Sequence, residues 1–315
     1  MTMTAAAVAE RPEDQHDQTM RVARHLAAFK NIETIPLPAL NGLVKQMDIL
    51  RQTSLLQAPG AQRDGMCVRL PSGVGKSTAA RTLVQSVARR AGLPVEQSPV
   101  LLVTLDIEET VSLWSAVLRA LGDPYWDVGY PKNLMKRAIK LLAKRRVEMI
   151  IVDEFNHSVD RGQARLLMNT IKEILNAGIA PVVVMGTDEE IERLPKNNAF
   201  ERRMVHAPRI GPLEWGKPTD EVNWRGFLQG LDQGIVDANI LAARSGLGTK
   251  KLAEALCEAC GGIIGYAHWV VQDALTEVLM RGGTSIERLD LALSVNRLYV
   301  KFELFEQVNA VAHLS

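Results

Sequence analysis

Eight consecutive residues, Pro71-Ser72-Gly73-Val74-Gly75-Lys76-Ser77-Thr78, have the composition of a polyphosphate-binding loop. Glycines let backbone amides come close to phosphate oxygens, and a helix opening at the lysine turns its positive end toward the anion. In such a loop Lys76 reaches the β- and γ-phosphates and the hydroxyl of Ser77 holds Mg²⁺. Further on, Glu148-Met149-Ile150-Ile151-Val152-Asp153-Glu154 sets four apolar residues before two adjacent carboxylates. Asp153 then belongs in the Mg²⁺ shell, and Glu154 polarises the attacking water. A second apolar run, Val182 to Gly186, ends at Thr187. Its hydroxyl either orients the lytic water or caps a helix opening at Asp188-Glu189-Glu190. Arg202 and Arg203 follow and are candidates for an arginine finger toward a neighbouring subunit's γ-phosphate.

Leu70 stands where the motif GxxxxGK[ST] has its first glycine. Either a strand residue with ordinary dihedrals suffices there, or nucleotide binding is weakened. Gly73 to Ser77, the phosphate-contacting part, is intact, which favours the first reading.

The second chemically distinctive stretch is Lys132 to Arg146. It carries Lys132, Lys136, Arg137, Lys140, Lys144, Arg145 and Arg146 and no acidic residue. Four of these lysines recur at i, i+4 and form one stripe, with Leu134, Ala138, Leu141 and Leu142 on the opposite face. Such a stripe can follow DNA phosphates without reading bases, or it is a solvated helix face. The missing acidic compensation puts the two readings on equal footing. With 37 basic and 36 acidic residues, the net charge of +1 favours neither.

These residues need a scaffold. Strands are expected at Met66–Leu70, Val100–Leu105, Met149–Val152 and Pro181–Met185. Helical patterns lie between them at 77–91, 111–121, 132–146 and 163–177, and two more precede them at 19–29 and 39–56. Strand–helix alternation implies a parallel sheet covered on both faces. Beyond Pro208 the pattern is helical, at 221–231, 237–245, 250–259, 264–281 and 285–297. The expected organisation is a disordered tail at 1–18, N-terminal helices with an α/β ATPase domain at 19–210, a helical lid at 211–298 and a C-terminal tail at 299–315. Hydrophobic residues at 47% and charged residues at 23% fit a soluble globular chain. No apolar run is long enough to span a bilayer, and the start lacks a signal-peptide pattern; a cytoplasmic location is expected. Cys67, Cys257 and Cys260 form no disulfide framework, and Cys257 and Cys260 read as packing residues. The six histidines are scattered, so no metal site made of protein ligands alone is expected.

The order of these features resembles AAA+ ATPases, and within them the TniB/TnsC-like regulators of DNA transposition. Pro38 to Leu50 is similar to the family's segment before the P-loop. Val100 to Tyr125, ending in Leu121-Gly122-Asp123-Pro124-Tyr125, is similar to its second strand and helix. Val152-Asp153-Glu154-Phe155-Asn156-His157, Val184-Met185-Gly186-Thr187 and Gly261-Gly262-Ile263-Ile264-Gly265 are similar to its Walker B, sensor and lid segments. The resemblance spans Leu37 to Leu293. It departs at Leu70 and in having no arginine within Gly261 to His268, where many AAA+ lids carry one. It implies an α/β AAA+ fold with a helical lid, and an Mg²⁺- and ATP-dependent homo-oligomer on duplex DNA. Its partners would be a DDE-type transposase and a TniQ-like targeting protein. Two other readings remain: a helicase-loader or initiator-like AAA+ protein, and a nucleotide-switch scaffold that touches no DNA. A small-metabolite kinase fits less well, because of the paired carboxylates and the trailing helices.

Overall fold

The computed structural model describes residues 12–32, 37–105, 112–153, 161–187 and 202–302. They fall into two compact units: the described parts of Pro36–Gly211, and those of Met1–Ile35 with Pro212–Ser315.

In the first unit, short apolar runs form β1 (Gly65–Arg69), β2 (Val100–Thr104), β3 (Met149–Asp153), β4 (Val182–Gly186) and β5 (Met204–His206). All pair in parallel, in the order β2-β3-β4-β1-β5. The helices are α2 (Pro38–Leu56), α3 (Lys76–Ala91), α4 (Leu113–Ala120), α5 (Pro131–Lys144) and α6 (Arg161–Asn176). The chain crosses from β1 to β2 in one direction along the sheet and from β2 to β3 and β3 to β4 in the other. Right-handed crossovers therefore put α3 on one face and α4, α5 and α6 on the opposite face. Register confirms which side chains share that second face. Val103, Val152, Val184 and Cys67 lie abreast and join a core with Val117, Leu118, Leu134, Ala138, Leu142 and Ile171.

α2 is fixed in its second half. Arg51 donates to Asp48 at 2.8 Å and pairs with Glu148, while Arg90 of α3 reaches Asp48 at 2.8 Å. Burial opposes ionisation of Asp48, but its bonds to Arg51 and Gln52 and the charges of Arg51 and Arg90 outweigh this and lower its pKa.

The second unit contains α1 (Pro12–Lys30), α7 (Pro218–Asp237), α8 (Lys250–Ala259), α9 (Ile264–Arg281) and α10 (Arg288–Phe302). Three expectations change here. Residues 12–18, assigned to the tail, are helical, and α1 belongs with the C-terminal helices instead of the α/β domain. Its Phe29 is fully buried with its ring 4.7 Å from that of His268, and Gln18 donates to the Met280 carbonyl at 2.7 Å. The helix expected at 237–245 is absent beyond Asp237. The buried Asp232 carboxylate instead accepts the N–H groups of Ser245 and Gly246 at 2.8 Å, and Asn239 turns left-handed at φ 53°. A local carboxylate–amide nest competes successfully with helix formation there. Finally, α10 extends into the segment assigned to the C-terminal tail. The short edge strand β5 also lacked a sequence signal, because Val205 and His206 are exposed.

Candidate nucleotide site and basic surface

Leu70 prolongs β1. It is completely buried, its N–H donates to the Gly186 carbonyl at 3.1 Å, and its φ is not positive. No glycine is required there. The left-handed turns come at Gly73, φ 77°, and Gly75, φ 107°. Gly75 is doubly constrained, because a Cβ on it would lie 2.6 Å from Leu40 Cδ1 in the first turn of α2. Leu40 thus seats on the loop, a contact that sequence reasoning missed. Its only signal was an apolar residue placed by Pro38 at the helix start.

α3 opens at Lys76 with no side-chain cap and no acidic residue in its first turn. Its N-terminal partial charge is therefore left for an anion. The Lys76 ammonium lies over the loop and donates to the carbonyl oxygens of Leu70 at 2.7 Å and Pro71 at 3.0 Å. Ser77 and Thr78 are half-buried. Pro71 and Ser72 are exposed, whereas Val74 is buried and anchors the loop in the core.

Asp153 ends β3 and is buried. Strand alternation turns it, with Ile151, to the face opposite Val152, which is the α3 face. β4 lies between β3 and β1, so Asp153 and the root of the P-loop are two strands apart, about 10 Å. Thr187, just beyond β4, stands between them. Three sequence-predicted elements thus converge at the carboxyl ends of neighbouring strands, where ligands bind in open α/β sheets. The donor set suits a magnesium-bound polyphosphate: amides and an ammonium for the anion, a hydroxyl and a buried carboxylate for the cation. Glu154 lies outside the described residues.

Arg202 and Arg203 are placed elsewhere. The Arg203 carbonyl accepts the Gly65 N–H at 2.9 Å, at the start of β1. The pair therefore sits at the amino end of the sheet, with Arg202 exposed and Arg203 half-buried.

On α5, Lys132, Lys136, Lys140 and Lys144 are all exposed, while Leu134, Ala138 and Leu142 are buried. Among the described residues none of the four lysines pairs with a carboxylate. Arg137 is engaged otherwise, with Asp123 Oδ2 at 2.6 Å and with the carbonyls of Tyr125 and Val128.

Cys257 and Cys260 are buried. Burial pushes the Cys257 thiol up to about 11 and that of Cys260 higher, which disfavours the thiolate needed for metal binding. No described helix is long and apolar enough to cross a membrane.

A parallel sheet in this order, a P-loop after β1, a buried acid after β3 and a trailing helical unit define the fold of AAA+ P-loop ATPases. Solved structures share it. Cdc6p from Pyrobaculum aerophilum is 15% identical over 86% of this chain and 70% of its own, with a TM-score of 0.58. The ADP form of the Aeropyrum pernix ORC2 protein is 14% identical over 89% and 74%, at 0.61. The Aeropyrum pernix ORC1 protein in complex with DNA is 12% identical over 87% and 69%, at 0.60. Residues 32–209, more than half of the chain, match the family described as bacterial TniB protein, and the chain belongs to that family. No curated protein sequence matches it.

Proposed function

We propose that this chain is an ATPase that oligomerises on duplex DNA with ATP bound and recruits or activates a transposase at a target site. The convergence of Lys76, Ser77 and Asp153 at the carboxyl edge of the sheet, in a TniB-family chain, carries the reading. Lys76 and the first-turn amides of α3 bind the β- and γ-phosphates. Ser77 and Asp153 would hold Mg²⁺, which would supply charge neutralisation for the phosphates. Glu154 polarises the water that attacks the γ-phosphorus as the bond to ADP breaks, and Thr187 orients that water. Arg202 or Arg203 of a neighbouring copy neutralises the transferred phosphoryl group, so hydrolysis is slow until subunits assemble. The lysines of α5 bind DNA phosphates in a sequence-tolerant way. A TniQ-like partner then supplies target choice, and a DDE-type transposase is the client.

The Cdc6 and ORC structures favour one alternative, a helicase-loader or initiator-like protein with the same ATP and DNA chemistry and a different client; the ORC1 example is itself a DNA complex. A nucleotide-switch scaffold would bind no DNA. Fluorescence anisotropy on a random-sequence duplex, with and without Mg-ATP, tests the reading, with Lys76→Ala as control. Cooperative, salt-sensitive binding that needs ATP is expected. Nucleotide-independent or absent binding would leave the scaffold.

A further inference from the structure

Between α4 and α5 the chain displays large apolar side chains that neither the core nor the nucleotide site uses. Tyr125 is 64% exposed, Val128 57% and Tyr130 80%. An exposed cluster of this kind normally marks an interaction surface.

The loop is held in shape. Gly122 turns left-handed at φ 76°, and the Asp123 side chain accepts the Tyr125 N–H at 2.8 Å. Arg137 then grips the loop from α5 through Asp123 and the carbonyls of Tyr125 and Val128. Trp126 is tucked against the core, with the Arg119 guanidinium 5.3 Å from its ring centre. The anchoring groups point inward, and the two tyrosines and the valine are exposed, with one carboxylate, Asp127, among them. Because the backbone is already ordered, little conformational entropy remains to be lost when these side chains meet a partner.

What lies beside the loop indicates the partner. Tyr130 is the N-cap of α5, and Lys132 and Lys136 follow within two turns. Lysines four apart advance about 6 Å along the helix and make a regular row of positive charge, which suits the regular row of phosphates on a DNA strand, one per about 3.4 Å of duplex axis. An aromatic tip continuous with a lysine row matches a polyanion that has flat apolar surfaces between its charges.

We infer that the Tyr125–Tyr130 loop is a rigid prong that contacts the sugars and base edges of duplex DNA, while Lys132, Lys136 and Lys140 hold the adjacent phosphates. This rests on the DNA reading above and adds a non-ionic contact to it. Apolar side chains that enter a groove at a base step unstack it and bend the duplex.

The two contributions separate by salt. Anisotropy titrations of the full chain with Mg-ATP on a random-sequence duplex, over a range of salt concentrations, would compare Tyr125→Ala/Tyr130→Ala with Lys136→Ala/Lys140→Ala. The tyrosine variant should bind roughly tenfold or more weakly, with the slope of log affinity against log salt unchanged. The lysine variant should reduce the slope by about 1.8, near 0.9 per lost phosphate contact. Tyr125→Phe/Tyr130→Phe keeps the rings and should restore affinity, which separates ring contact from a folding defect. Unchanged affinity in the alanine variant, with the lysine effect intact, overturns the prong and leaves DNA binding standing; the loop then faces a protein. Failure of the unmutated chain to bind DNA overturns both.

Discussion

The Gly65 N–H donates to the Arg203 carbonyl at 2.9 Å, which ties the arginine pair to the end of β1 remote from the P-loop. β1 has five residues, so with a rise of about 3.3 Å per residue the pair lies well over 10 Å from its own phosphate loop. An arginine so placed does not reach that loop, and as the proposed finger it would act on a second copy of the chain. Arg202→Ala/Arg203→Ala should therefore bind ATP normally and hydrolyse it at least a hundredfold more slowly, in line with the roughly 10³–10⁵ attributed to arginine fingers. Mixing it with Lys76→Ala, which should not bind ATP, should recover part of the turnover, since each variant would supply what the other lacks. A mixture no faster than the sum of its parts would exclude a role in trans.

Glu154→Gln should retain ATP affinity and lose turnover, because the amide cannot take a proton from the attacking water. Combined with the DNA assay, it should give a complex that persists after free ATP is removed. Turnover at the rate of the unmutated chain would take Glu154 out of the mechanism.

Leu40 and Gly75 make a third case. A methyl at Gly75 meets both a left-handed backbone, φ 107°, and the Leu40 side chain at 2.6 Å. Gly75→Ala should lower ATP affinity at least tenfold and destabilise the unit by about 1–3 kcal/mol. Leu40→Ala removes the clash together with a buried side chain, so the comparison is made in that background: there Gly75→Ala should cost less stability than in the unmutated chain, but still some. No cost at all in that background, measured by calorimetry, would show that the backbone angle carries no strain.

Much of this site was legible in the sequence because phosphate chemistry is local. Gly73, Gly75, Lys76 and Ser77 are close neighbours in the chain, and the apolar run ending in Asp153 reads as a strand with its acid at the edge. The first four strands were found within a residue at each end for the same reason. Leu40 was not legible, because the contact joins two elements by packing and its residue type is unremarkable. Arg137 looked like one more member of a basic run. Only the three-dimensional loop reveals Asp123 and two carbonyls waiting for its fork of donors. Residues 238–245 misled because their apolar spacing suits a helix, while the deciding group, Asp232, lies on the preceding one.

The contact of Phe29 with His268 predicts how the second unit responds to acid. Burial lowers the His268 pKa below its ordinary 6.5. The unfolded chain takes up a proton near that value and the folded chain does not, so stability is present above it and falls as pH drops. The fall continues until the lower folded-state pKa is passed, and within the window it amounts to at most about 1.4 kcal/mol per pH unit. Asp290 is affected only at lower pH: burial opposes its ionisation, but the Arg281 bond and charge outweigh this and lower its pKa. Thermal unfolding between about pH 7.5 and about pH 5.5, the range in which histidine titrates, should show the midpoint dropping for the unmutated chain. His268→Phe keeps a ring against Phe29 and removes the titrating group, so its midpoint should drop less over the same range. An equal drop in both proteins would place the acid sensitivity elsewhere.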